Sequence, residues 1–244
     1  IVLTQRAGDI IHLIEGGVLT HTKGLGDGLE LVISTDAIIG ASSAISADGR
    51  GHGRQSGPGA GIRDDHGGGG SYGGLGGAPT GEVYGSVREP TELGSGGGDE
   101  YRWLISLYGG VAGGGALRLT VDGLLTLDGR ISADGASAGD RSGGAGSGGS
   151  VYLTVGELAG VGQILANGGD SDGNGGGGGG RVAVYYGAKA GFEGTIGATG
   201  GTGYEDGQDG TVFFYPINLL HVEGHSPHGP INEATGQLYI FFDK

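Results

Sequence analysis

The chain has 244 residues, of which 65 are glycine, and it carries a formal net charge of −14 with no cysteine. This charge argues against binding nucleic acid through phosphate neutralisation, and the lack of cysteine excludes disulfides and thiolate metal sites. No apolar stretch reaches the roughly 18 residues that span a bilayer, so we predict no transmembrane segment.

In chain order, the predicted elements are short strands that recur as a repeat. The first copy joins an alternating strand at 29–33 to the sequence ISADG at 45–49. Three further copies have first strands beginning near residues 116, 150 and 182, and they end in ISADG at 131–135, ILANG at 164–168 and IGATG at 196–200. A strand at 212–214 begins a fifth copy. Alternation of apolar and polar residues is typical of half-buried strands.

Such units cannot bury their apolar faces alone, so stacking is expected. The repeat predicts an all-β, right-handed parallel β-helix, a β-solenoid with repeated glycine-rich loops. Two internal ladders follow, one of Ile45, Ile131, Ile164 and Ile196 and the other of Leu31, Leu119, Leu153 and Val184. We predict the solenoid over 1–215, with one long glycine-rich insertion at about 50–115. Residues 216–244 then form an irregular segment and a terminal strand, which is a cap or an assembly strand.

The glycine runs, such as GGDSDGNGGGGGG at 168–180, leave two interpretations open. They form flexible surface loops, or they pack side by side as extended polyproline-II-like strands because no Cβ prevents backbone approach. Within the insertion, residues 83–87 and 103–108 have strand-like patterns. Asp48, Asp134 and Asn167 each precede glycine, which predicts turns in which the side chain bonds its own backbone.

Three strings, GSGGSVYLTV, GGGGGGRVAVYY and FEGTIGATGG, resemble the units of glycine-rich extracellular parallel β-helix repeat proteins. The resemblance covers about residues 116–215 and includes cell-surface and adhesin-like proteins. It implies an extracellular or cell-surface location. The expected function is a non-enzymatic structural or adhesive module of an extracellular filament, appendage or cell surface, able to polymerise through its terminal strands. Expected partners are further copies, other surface proteins or glycans.

An enzymatic alternative comes from Asp64 and Asp65, which lie near His52 in Gly-His-Gly. These elements resemble those of pectin-hydrolysing β-helix enzymes, in which paired carboxylates act as acid and base. Their order along the chain is reversed here. Glycan hydrolysis or lysis through Asp64, Asp65 and His52 therefore stays an alternative to a protein without catalytic residues.

Two further sets of residues are candidates for binding. Asp170, Asp172 and Asn174 match the opening half of a calcium loop, although Arg181 stands where the closing Glu belongs. They suggest calcium as a cofactor and a calcium-dependent glycan-binding module as a third hypothesis. Tyr152 and Tyr185 are predicted to point outward as surface contacts, where aromatic rings stack on sugars or on a neighbouring subunit.

Overall fold

The computed structural model describes residues 2–4, 11–102, 105–139, 142–217, 231–232 and 237–238. These residues form seventeen β-strands and no helix. Accordingly, no helix in this part of the chain is long and apolar enough to cross a membrane. The prediction of an all-β protein is confirmed.

Most strands belong to two parallel sheets. The first sheet has eight strands: β1 (Val2–Thr4), β2 (Ile11–Leu13), β4 (Leu29–Ile33), β5 (Ala37–Ile39), β9 (Ala116–Leu127), β11 (Ser150–Gly160), β13 (Arg181–Phe192) and β15 (Thr211–Pro216). The second has five: β3 (Val18–Leu19), β6 (Ala44–Ser46), β10 (Arg130–Ser132), β12 (Gln163–Leu165) and β14 (Thr195–Gly197). Two antiparallel pairs complete the set: β7 (Glu100–Arg102) with β8 (Ile105–Tyr108), and β16 (Ile231–Asn232) with β17 (Gln237–Leu238).

Both predicted apolar ladders are confirmed by the strand register. In the second sheet the paired residues are Ile45, Ile131, Ile164 and Ile196, in that order. In the first sheet they are Leu31, Leu119, Leu153 and Val184. Most of these side chains are buried in one continuous core between the sheets, and each fully buried aliphatic side chain contributes roughly 2 kcal/mol.

After β10, β12 and β14 of the second sheet, the chain runs out along one glycine-rich segment. It then returns along another to the next long strand of the first sheet. The outgoing and returning pairs are 133–138 with 143–149, 166–171 with 174–180, and 198–203 with 205–210. The insertion adds segments 67–77, 94–99 and 109–115. Backbone hydrogen bonds join all of these segments, which we call the glycine layer.

Hydrogen bonding in the glycine layer follows a period of three residues. Along 175–180, successive N–H groups donate to three neighbouring segments in turn, and the order then repeats: Gly67, Glu205, Gly169, Gly70, Gln208 and Ala166 supply the carbonyls. A polyproline II helix has three residues per turn, which matches this period. The segment is buried. The surface-loop interpretation is therefore wrong for this run, and the packed-segment interpretation describes it.

Close backbone approach explains why these positions are glycine. A Cβ at Gly177 would lie 1.9 Å from the Gly146 carbonyl oxygen, and one at Gly148 would lie 2.2 Å from that of Ala166. Atoms this close overlap, and backbone cannot rotate away as a flexible side chain can. At such points, therefore, only glycine fits into the layer.

One local expectation is wrong and another holds only in part. Residues 83–87 form no strand. A turn does form at Asp48–Gly49, closed by Arg50 N–H donating to Ala47 O with Gly49 at positive φ. The side chains of Asp48, Asp134 and Asn167, however, do not close turns on their own backbone. Instead the Oδ1 atom of each accepts the N–H of the equivalent residue in the next repeat, at 2.7, 2.6 and 3.0 Å. Parallel stacking brings that N–H within reach, and the three bonds form a ladder that ties successive repeats together.

At the C-terminus, β16 and β17 pair with each other in antiparallel register. Most of the irregular segment and terminal strand predicted at 216–244 lies outside the described residues. Its assignment as a cap or an assembly strand stays a prediction.

The glycine layer predicts unequal effects for two substitutions in one run. Gly177→Ala should lower the free energy of unfolding by at least about 3 kcal/mol, because the new Cβ meets a carbonyl oxygen. Gly173→Ala is the matched control, since a Cβ there has nothing within 4 Å. It should change stability by less than about 0.5 kcal/mol. Chemical denaturation measures both, and equal effects would contradict the packed layer.

A pH dependence centred on Asp134 is also predicted. Burial, with a smaller effect of the neighbouring Asp48, raises the pKa of this carboxyl above 3.8, against the opposing effects of the ladder hydrogen bond from Asn167 N–H and of Arg130. The folded state therefore holds the proton more tightly than the unfolded state, so the ionised group destabilises the fold as pH rises above 3.8. Replacing Asp134 with Asn removes the ionisable group and keeps the Oδ1 acceptor of the ladder. The stability of Asp134→Asn relative to wild type should rise with pH from about 4 upward in thermal denaturation. A difference that falls with pH would contradict this.

Candidate functional site

The outward face of the first sheet carries a contiguous group of aromatic side chains. Tyr152 lies on β11, Tyr185 on β13, and Phe213 and Tyr215 on β15. Alternation directs them outward, because the residues between them on β11 and β13 belong to the core. All four are half-buried. We call this group the aromatic strip, and it includes both tyrosines predicted as surface contacts.

The rings of the strip touch in sequence across three strands. The ring centres of Tyr152 and Tyr185 are 5.8 Å apart, and Tyr185 lies 5.6 Å from Phe213 and 6.0 Å from Tyr215. Phe213 and Tyr215 are nearly parallel, with centres 5.5 Å apart. These separations are typical of favourable aromatic pairs, so the strip is a continuous aromatic surface.

An arginine lies at each end of the strip. The Arg118 guanidinium is 5.3 Å from the centre of the Tyr152 ring, and that of Arg88 is 5.8 Å from the Phe213 ring. Both distances fall within the range of cation–π attraction. Arg118 also lies 3.6 Å from the Glu30 carboxylate.

Residues 84–93, here called the wall segment, run beside the strip and are tied to the first sheet by side chains. Three residues that begin or lie within β11 and β13 donate to wall carbonyls. Arg181 Nε donates to Tyr84 O at 2.9 Å, Tyr185 Oη to Arg88 O at 3.2 Å, and Ser150 Oγ to Glu92 O at 2.6 Å. These bonds hold an irregular segment in one position on the face of the sheet.

Tyr84 of the wall segment pairs with a buried tyrosine, Tyr72, that the sequence analysis missed. Tyr72 is fully buried, its hydroxyl lies 2.7 Å from Ser150 Oγ, and its ring centre is 4.7 Å from that of Tyr84. Burial raises the pKa of both phenols, that of Tyr84 to about 12. Both therefore stay protonated and hydrogen-bonded at neutral pH. The sequence did hold one indication of this buried residue, since Tyr72 is a large side chain within the glycine run GSYGG.

A groove of about 290 Å³ opens at the Arg118 end of the strip. Its polar lining combines Arg118 with the carboxylates of Asp27, Glu30 and Glu92. Glu92 belongs to the wall segment, so the same bonds that fix the wall also fix this side of the groove. Strip and groove thus form one surface, apolar along its length and polar at one end.

The residues of the enzymatic alternative are not brought together. His52 N–H donates to Gly94 O, whereas Asp64 N–H donates to Asp99 O. Gly94 and Asp99 are the two ends of one extended segment, about 15 Å apart at the polyproline-II rise. Asp64 and Asp65 are exposed, and His52 is half-buried beside Gly57.

The three candidate calcium ligands are engaged separately. Asp170 Oδ1 accepts the N–H and hydroxyl of Thr202 at 2.7 and 2.9 Å, as a second ladder between repeats. Asn174 is buried, and its Oδ1 accepts Gly67 N–H at 2.8 Å. Asp172 is exposed. Within the described ranges, no three acidic or histidine side chains are grouped as metal ligands.

No family model matches the chain, and no curated protein or solved structure matches it. The function is therefore argued from geometry.

Proposed function

We propose that this chain is a right-handed parallel β-helix that serves as a non-enzymatic structural or adhesive module at a cell surface or in an extracellular filament. The observation that carries the adhesive role is the aromatic strip. Its four outward aromatic side chains are in continuous contact, unlike isolated apolar residues on a surface. Contiguous patches of this kind are typical of binding sites.

The stacked repeats support the solenoid part of the proposal, and from Asp134 onward they are of nearly equal length. Pairing is parallel and in register at equivalent positions of successive units, in both sheets. The spacing of the side-chain ladder, 33 and then 32 residues, is the same spacing that the sequence repeat predicts. The extracellular or surface location rests on the resemblance of the repeat strings to surface proteins.

The glycine layer supports a scaffold role. Its segments are hydrogen-bonded on several sides, and Tyr72 within it contacts Tyr84 and Glu92, so the wall segment rests on a rigid base. Rigid presentation lowers the ordering entropy that binding must overcome. A protein that only had to remain soluble would not need such a layer.

Self-association is a second proposal, favoured by the sheet order. Among the described strands, β1 and β15 stand at the two ends of the main path of the first sheet, and each pairs with one neighbour. An edge strand offers a row of backbone groups to another chain, and head-to-tail pairing of copies gives open filaments.

One retention experiment distinguishes the three functions that the sequence suggests: a non-enzymatic adhesive module, a glycan-cleaving enzyme and a calcium-dependent glycan binder. Labelled protein is incubated with purified cell-wall material, washed, and assayed for bound protein and released reducing sugar. We expect retention, no sugar release, and no effect of a chelator. Sugar release would favour the enzyme, and chelator-sensitive retention would favour calcium-dependent binding.

The control for this experiment is the double variant Asp64→Asn, Asp65→Asn, which removes two exposed carboxylates far from the strip. Retention of this variant should equal that of wild type. If wild type is not retained and sedimentation shows only monomer at high concentration, neither the adhesive nor the polymerising role stands.

A further inference from the structure

The aromatic strip runs across the strands, not along one of them. Adjacent strands are about 4.8 Å apart, and the ring centres of Tyr152, Tyr185 and Tyr215 follow each other at 5.8 and 6.0 Å. Neighbouring rings of this row meet at 61°, edge to face, so they do not form one flat platform. A ligand matched to this surface is linear and presents small apolar faces at regular intervals.

We propose that the strip and the adjoining groove bind a neutral polysaccharide chain lying across strands β11, β13 and β15. Pyranose rings have apolar C–H faces that stack on aromatic rings, and they have hydroxyl edges that need hydrogen-bond partners. The strip supplies the rings. The groove supplies the partners, with the Arg118 guanidinium as donor and the carboxylates of Glu30 and Glu92 as acceptors.

Charge favours a neutral glycan over an acidic one. Three carboxylates line the groove, and the whole chain carries a net charge of −14. A uronate or sulfated polymer would meet like charge at the groove and in the long-range field. Arg118 does not reverse this, because it already lies 3.6 Å from Glu30.

The extent of the surface disfavours a protein partner. All four rings of the strip are half-buried, and a buried aromatic side chain removes about 200 Å² from water. The exposed remainder is well below the roughly 1,000 Å² that a specific protein interface buries. A peptide that added as a strand would pair with the backbone of β15, which ends the main path of the sheet, and would reach only the Phe213 and Tyr215 end of the strip.

The wall segment makes the surface preorganised. Arg181, Ser150 and Tyr185 hold its carbonyls, so the backbone that carries Arg88 and Glu92 is in place before a ligand arrives. Fixed groups lose little entropy on binding.

The proposal rests on the adhesive function and is tested with defined probes. Wild type and variants are measured against microcrystalline cellulose, chitin and soluble glucomannan as neutral glycans, and against alginate and polygalacturonate as polyanions. We expect binding to at least one neutral glycan and weaker binding to both polyanions. Failure to bind any neutral glycan, or a preference for the polyanions, would overturn the proposal.

Tyr152→Ala and Tyr215→Ala test the strip, because neither side chain takes part in the bonds that hold the wall segment. Each should weaken glycan binding about tenfold or more, as loss of a central aromatic contact does. Tyr204→Ala is the matched control. Tyr204 is 67% exposed and stacks on His66 at 4.2 Å, outside the strip, so its loss should leave binding unchanged.

Thermal unfolding of each variant shows that the fold is kept, and Tyr185→Phe, which retains the ring, gives a second probe. Equal binding by Tyr152→Ala, Tyr215→Ala and wild type would overturn the glycan proposal. If those variants are still retained on cell-wall material, the adhesive function stands while the strip is excluded as its glycan site. Loss of retention by wild type itself would instead reject the adhesive function.

Discussion

Close approach of peptide backbones in the glycine layer is the constraint on which the rest of the structure depends. Each buried segment donates and accepts hydrogen bonds with several neighbours, and the spacing leaves no room for a Cβ at points such as Gly177 and Gly148. Unpaired backbone groups would be costly in the interior. The three-residue period resolves this, because it directs successive N–H groups to different segments. Backbone pairing replaces side-chain packing.

The functional surface follows from this arrangement. Glycine segments of the insertion join the layer, and the part of the insertion between them emerges as the wall segment. Tyr72 links the two, since it is buried in the layer, its ring packs against Tyr84 and its hydroxyl donates to Glu92 Oε2 at 3.2 Å. The wall then lies beside the aromatic strip. The long insertion is not an independent loop, because its wall segment is bonded to the first sheet and shapes one face of it.

The two sheets could be predicted because strand periodicity is a local property. Alternation around Leu119 and Leu153 and the repeated isoleucines determined both ladders. The partners in the glycine layer could not be predicted, because glycine has no side chain to mark one neighbour over another. The wall segment also escaped prediction, since the bonds from Ser150 to Glu92 and from Arg181 to Tyr84 join residues 58 and 97 apart. Tyr152 and Tyr185 were found through alternation alone, while Phe213 and Tyr215 completed the strip only in three dimensions.

Amide hydrogen exchange tests the central claim most directly, because the layer exists only if its N–H groups are bonded. The account predicts that residues 143–149 and 175–180 exchange as slowly as β9, β11 and β13, since all belong to one cooperative structure. The exposed glycines at 139 and 173 provide the fast reference within the same chain. Exchange of 175–180 at the rate of Gly173 would show that the glycine runs are unstructured and would contradict the account.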